Sequence, residues 1–196
     1  GRLASGHESV TRASVERMDW NAVAIPAERC FGEARRFLQA FGAVQRTGYL
    51  NVLALKTADP PRPFLEALAA EFAADPGKAD ILARIAPCED TFTFQDPAEF
   101  DLVAREVALK HVDRLLGRSF HVRIHRRGFK KDFERLERER KLGMALLEAV
   151  AAREPRGRIS YDDPDAVVAI EMIDGRAGLS VWTRDELARF PLLRPG

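Results

Sequence analysis

The chain has 196 residues, 46% hydrophobic and 31% charged, and its 31 Lys and Arg against 30 Asp and Glu give a formal net charge of +1. This is the composition of a folded protein and not of a disordered one, and the length suits one large domain or two small ones, of which we expect two. No apolar run approaches the roughly 20 residues that a membrane-spanning helix needs, so no membrane partner is expected.

Residues 1–18 lack the apolar core of a signal peptide and show little periodicity, so they read as a flexible arm. Residue 1 is Gly and not Met, which leaves room for a further domain beyond this sequence. "DWNAVAIP" (19–26) predicts a strand closed by Pro26. "ERCFGEARRFLQAF" (28–41) then places Phe31, Ala34, Phe37, Leu38 and Phe41 at helical spacing, with Gly42 as a left-handed cap. Two strands follow, "AVQRT" and "YLNVLALKT", on either side of Gly48. Pro60, Pro61 and Pro63 introduce the helix "FLEALAAEFAA", "DPGK" breaks it, and "DILARIAPC" returns as a strand. Strand, helix, strand, strand, helix, strand is the order of a ferredoxin-like split unit, predicted over residues 19–90; the scaffold alone implies no function.

A second unit is predicted over 96–190, followed by a tail at 191–196. Residues 97–116 carry Phe100, Val103, Val107, Leu109 and Leu116 on one broad stripe, a helix capped by Gly117. Phe120, Val122 and Ile124 then alternate with His121, Arg123 and His125, which predicts a strand. Gly128 turns the chain, and Asp132 is placed to cap a long helix in which Glu134 with Arg138 and Glu137 with Lys141 stand four apart. "VVAIEMI" and "AGLSVWT" flank Asp174-Gly175, a strong hairpin signal. With those two residues as the loop, Met172 faces Ala177, Ile170 faces Leu179 and Val168 faces Val181. The strand–helix–strand order before the hairpin predicts a right-handed crossover and a parallel pair. The fold class expected for the whole chain is α+β.

Much familiar chemistry is missing. There is no P-loop, no dinucleotide fingerprint, no H-E-x-x-H, no G-x-S-x-G and no zinc-deaminase pattern, so we expect no cofactor and no catalytic residue. Cys30 and Cys88 are too few for a disulfide framework and neither belongs to a C-x-x-C pair, which fits reduced thiols in a cytoplasmic protein. His121 and His125 would share a helix face, but on a strand they stand about 13 Å apart, too far to bind one metal.

The local charge is what singles out "SFHVRIHRRGFKK" (119–131). Arg126, Arg127, Lys130 and Lys131 fall within six residues, Arg123, His121 and His125 precede them, and no acid intervenes. Most such runs are solvated surface. Here the cations extend onto a strand as well as its loop. Arg offers a planar fork for phosphate and Lys a mobile point charge, so together they suit a nucleic-acid backbone. Should helices cover both faces of the sheet, the strand residues would need partners, Glu171 among them, and Arg126, Arg127, Lys130 and Lys131 would form the exposed cluster. Arg118 and, on the first unit's last strand, Arg84 complete the candidate RNA-binding set.

"SFHVRIHRRGFK", the charged helix after it, and "ISYDDPDAVVAIEMIDGRAGLSVW" together resemble the THUMP domain of RNA-modification proteins. That family follows an apolar–basic strand with a helix, a V-D-L-x-x-P-D-like turn and a closing hairpin. In this chain the turn reads Ile159, Ser160, Tyr161, Asp162, Asp163, Pro164, Asp165, with Ser-Tyr in place of Asp-Leu. Asp and Pro there can also simply fix the start of a strand, and Trp182 reads more readily as a packing residue than as a base platform. The resemblance implies a ferredoxin-like unit and a THUMP domain that bind the acceptor stem and 3′ end of tRNA. It further implies a stand-alone, non-catalytic adaptor that presents tRNA to a separate modifying enzyme. The alternatives are a fragment or divergent member of a tRNA-modifying enzyme, a small ferredoxin-like hydrolase, and a protein-interaction module.

Overall fold

The computed structural model describes residues 18–195, so nearly all of the expected arm lies outside the described residues. The chain divides into two compact units, one ending at Ala86 and the other beginning at Pro87.

In the first unit β1 (Ala22–Pro26), α1 (Phe31–Leu38), β2 (Gly42–Arg46), β3 (Leu53–Thr57), α2 (Pro61–Ala74), a short 3-10 turn and β4 (Leu82–Pro87) form a sheet ordered β2-β3-β1-β4. β3 lies between β2 and β1 and is antiparallel to both, which is the ferredoxin-like split arrangement expected. Trp20, Leu38, Leu53, Leu55, Phe64, Leu68 and Ile85 are fully buried in this unit. The rings of Phe37, Phe41, Phe64 and Phe72 pack mainly edge to face. The first helix is shorter than expected, and Gly42 opens β2 instead of capping α1. A Cβ there would meet the Lys56 carbonyl oxygen at 2.0 Å, so the strand pairing itself requires glycine.

The second unit contains β5 (Asp90–Thr93), α3 (Pro97–Leu109), β6 (Ser119–His125), α4 (Arg135–Ala151), β7 (Arg158–Ile159), β8 (Ala166–Ile173), β9 (Arg176–Thr183) and α5 (Arg184–Arg189). Its sheet runs β5-β9-β8-β6-β7. β6 and β8 are parallel, with Val122 beside Val168 and Ile124 beside Ile170, and the β8–β9 hairpin pairs Val168 with Val181, Ile170 with Leu179 and Met172 with Ala177. Asp174 takes the positive φ of 49° that the tight turn needs. α3 and α4 pack on each other and on the apolar sheet face, burying Phe100, Phe120, Ile124, Leu146, Ile170 and Leu179.

Four expectations change in this unit. β5, absent from the sequence reading, forms an edge strand on β9 within residues 90–96, so the second unit begins earlier than 96. The helix predicted over 97–116 gives way after Leu109 to a 3-10 turn at Val112–Leu115 before Gly117, whose φ is 70°. α4 starts at Arg135 and not at Asp132. Phe129, at φ 51°, packs its ring 5.4 Å from Phe94, and Phe133 lies 4.9 Å from Phe100, so these two side chains hold residues 129–134 in a folded loop against the core. The expected ion pairs along α4 are also replaced. Arg138 and Lys141 both bind Asp101 of α3, because the two helices are adjacent and a cross-helix carboxylate is nearer the core than solvent-facing Glu134 or Glu137.

Candidate nucleic-acid interface

β6 carries its polar side chains on the sheet face opposite α3 and α4. His121 is buried, with Nδ1 3.0 Å from the Ser160 carbonyl; Arg123 and His125 are half-buried, and His125 Nε2 lies 2.8 Å from the Pro195 carbonyl. The expected tail therefore has a fixed place beside this strand, after α5 and a 3-10 turn at Pro191–Leu193. Trp182, on the same face of β9, is 2% exposed, which makes it a packing residue.

At the end of β6 the chain brings cations together. Arg123, His125, Arg126 and Arg127 line, with Arg135 from the first turn of α4, an open cavity of about 340 Å³. Arg135 was missed in the sequence because α4 was expected to start earlier and its face there was unassigned. Each guanidinium is differently held. Arg126 Nη1 donates to the Gly128 carbonyl at 2.6 Å, Arg127 Nη1 to Glu171 Oε2 at 2.9 Å, and Arg135 Nη1 to Glu139 Oε1 at 2.8 Å. Arg123 Nε is buried and has no hydrogen-bond partner among the described residues. Four guanidiniums line the cavity, two of them paired with the carboxylates of Glu171 and Glu139, which favours an anion there, and the guanidinium fork suits phosphate oxygens.

The exposed cluster therefore differs from the expected four residues. Lys130 and Lys131 are exposed, whereas Arg126 and Arg127 are half-buried. Glu171 explains the difference for Arg127: a carboxylate on a central strand cannot stay unpaired, and the guanidinium that follows β6 reaches it. The loop is fixed further by the Asp174 amide, which donates to the Arg127 carbonyl at 2.8 Å. Arg118 is turned back, with Nη1 3.1 Å from the Arg114 carbonyl, and lies outside the cavity lining. Arg84 is on β4 of the first unit and half-buried.

The turn at 159–165 flanks β6. Asp165 Oδ2 accepts from the Ser119 amide at 2.8 Å, and the Asp165 amide donates to Ser119 Oγ at 2.9 Å. These two bonds lock the start of β8 to the start of β6, a structural role for the Pro-Asp pair. The Ser119 amide and, next, its hydroxyl hold the Asp165 carboxyl below its ordinary range, helped by Arg184 and Arg158. Tyr161, two residues past Ile159, is 68% exposed and stacks on His121 with ring centroids 5.7 Å apart and planes 27° from parallel. Nothing in the sequence spacing pointed to this stack.

Comparison with known proteins gives a consistent picture. The structure is similar to TrmN from Thermus thermophilus (TM-score 0.56, 17% identity, covering 82% of this chain and 44% of that one). It is also similar to PH1313 from Pyrococcus horikoshii Ot3 (TM-score 0.54, 14% identity, 83% and 54%). A third neighbour is a 4-thiouridine synthetase in a complex with RNA and ATP (TM-score 0.52, 14% identity, 83% and 41%). The chain thus spans about half the length of each of these proteins, and the likeness is one of fold. No match was found among curated proteins. The THUMP domain family matches residues 98–181, within the span expected from the sequence. Residues 98–181 of this chain are a THUMP domain.

Proposed function

We propose that this chain is a non-catalytic tRNA-binding protein that presents tRNA to a separate modifying enzyme, with the β6 strand and the loop after it as the main phosphate contact. The observation that carries the reading is the cavity ringed by Arg123, Arg126, Arg127 and Arg135, set within the THUMP domain and flanked by exposed Lys130 and Lys131. Structural neighbours that include an RNA complex support the tRNA-binding part. The acceptor stem and 3′ end are the expected region of contact. Among the described residues no helix is long and apolar enough to cross a membrane.

A second reading is favoured by one observation: a neighbour of which the chain spans 41% is called a synthetase. On that reading these residues are the RNA-binding part of a tRNA-modifying enzyme. Either way the cavity's task is to hold RNA.

The test is binding of total tRNA against duplex DNA of similar length at two salt concentrations. Preferential tRNA binding is expected, with log K falling against log salt by roughly 0.7–0.9 for each phosphate neutralised. Equal, weak binding to both would overturn the tRNA-binding reading. Adaptor action is checked separately, by whether the purified chain stimulates a tRNA-modifying enzyme that lacks a THUMP domain of its own.

A further inference from the structure

We infer that Tyr161 is a stacking platform for an unpaired nucleobase whose neighbouring phosphate lies in the Arg123 cavity. The inference rests on the RNA-binding reading and adds to it a residue that contacts a base instead of the backbone.

The first observation is the exposure of a large ring in a place that should hide it. Tyr161 is 68% exposed, the only aromatic among the large hydrophobic side chains so exposed in the described residues. A ring left in water at a loop tip would normally be free to turn. This one is held instead. His121, buried on β6 and hydrogen-bonded to the Ser160 carbonyl, lies against one face of it in a near-parallel stack. Ser160 Oγ donates to the Asp162 carbonyl at 2.9 Å, and the Asp163 side chain accepts from Arg184 Nε at 3.1 Å, so the turn on both sides of Tyr161 is tied down. A fixed ring with one face covered by an imidazole and most of its surface in solvent is arranged to accept a further flat π-system. Every nucleobase offers one.

The second observation is register. His121, Arg123 and His125 alternate on one face of β6, so the residue beneath the Tyr161 ring and the first arginine of the cavity are one strand repeat apart, about 6–7 Å. Single-stranded nucleic acid is typically recognised by this pairing of an aromatic platform with a basic groove along the backbone, whereas in a duplex the bases are stacked on one another and withheld. The geometry therefore favours an unpaired stretch of RNA over a helical one at this end of β6.

The experiment uses the whole chain, a short unpaired RNA bearing one 2-aminopurine at successive positions, and a blunt RNA duplex of the same length. Binding of the unpaired RNA is expected to quench 2-aminopurine at one position. Y161A should lose that quench and bind the unpaired RNA more weakly by roughly five- to 150-fold, while its affinity for the duplex changes less than about two-fold. Y161F should keep both the quench and the affinity, because only the ring face is used. Because the side chain is exposed, Y161A should unfold at the wild-type temperature, which excludes a folding artefact. Wild-type affinity and quench in Y161A would overturn the platform while leaving the RNA-binding reading intact. Failure of the wild-type chain to bind either RNA would overturn both.

Discussion

Arg127 Nη1 lies 2.9 Å from Glu171 Oε2, and the carboxylate it meets is 2% exposed on the central strand β8. The arginine that sequence alone ranks among the exposed phosphate contacts is therefore also the counter-ion of a buried acid. R127A should destabilise the protein by on the order of 3 kcal/mol, because it takes a counter-ion away from a buried carboxylate. Replacing both residues by Met should restore most of that loss, since neither charge then remains to be compensated. Urea unfolding of the two variants checks this. A wild-type midpoint in R127A would mean that the pair contributes nothing to stability, and any effect of Arg127 on RNA binding could then be read directly.

Lys130 and Lys131 behave differently because solvent already surrounds them. Changing both to Ala should move stability by no more than about 0.5 kcal/mol. It should weaken tRNA binding and lower the salt slope by roughly 0.7–0.9 for each phosphate contact removed. Fluorescence anisotropy across a salt series measures both quantities. An unchanged slope together with unchanged affinity would exclude these two lysines from the interface.

Glu139 links α4 to the exposed side of β6. β7 pairs only with Ser119 and Phe120, so the backbone beyond them lacks a neighbouring strand on that side. The buried Glu139 carboxylate supplies the missing acceptor, taking the Ile124 amide at 2.9 Å and Arg135 Nη1 at 2.8 Å on the same oxygen. E139A should cost about 1–3 kcal/mol by orphaning a buried N–H, and E139Q less, because an amide oxygen can still accept. Equal losses in the two variants would show that the hydrogen bond to Ile124 is not what stabilises this edge. Hydrogen exchange at the Ile124 amide gives a local readout of the same contact.

The contrast between the hairpin and the cavity shows what the sequence could tell. The β8–β9 register followed from a local alternation and one Asp-Gly turn, and each predicted pair is present. The parallel β6–β8 pairing followed from a handedness rule that depends only on element order. The cavity depends on long-range choices. Glu171 has His125 as its neighbour in register, and it also takes Arg127 from the loop, a residue that the strand pattern does not bring to it. Helical periodicity at 132–134 was overridden because Phe129 and Phe133 gain more by packing on Phe94 and Phe100 than the chain gains from another turn of helix. β5 is four residues long, too short for alternation to register. The Tyr161–His121 stack joins residues 40 positions apart, a proximity that no periodicity carries.

Asp165 gives the fold a pH dependence whose sign can be stated. Hydrogen bonds from the Ser119 amide and hydroxyl, with Arg184 and Arg158 nearby, lower its carboxyl from the ordinary 3.8. A carboxyl depressed in the folded state binds protons more readily when unfolded, so its contribution is fully present above the unfolded value and disappears as pH falls through the folded one. The wild-type chain should therefore unfold at a higher temperature than D165N between about pH 5 and 8, with the gap closing below about pH 4 as the carboxylate is protonated. S119A removes the hydroxyl partner alone and should shrink the gap without abolishing it, because the Ser119 amide remains. Thermal unfolding of the three proteins from pH 3 to pH 8 separates these outcomes. A gap that persists undiminished at pH 3 would mean that Asp165 fixes the β6–β8 junction through the shape of its turn and not through its charge.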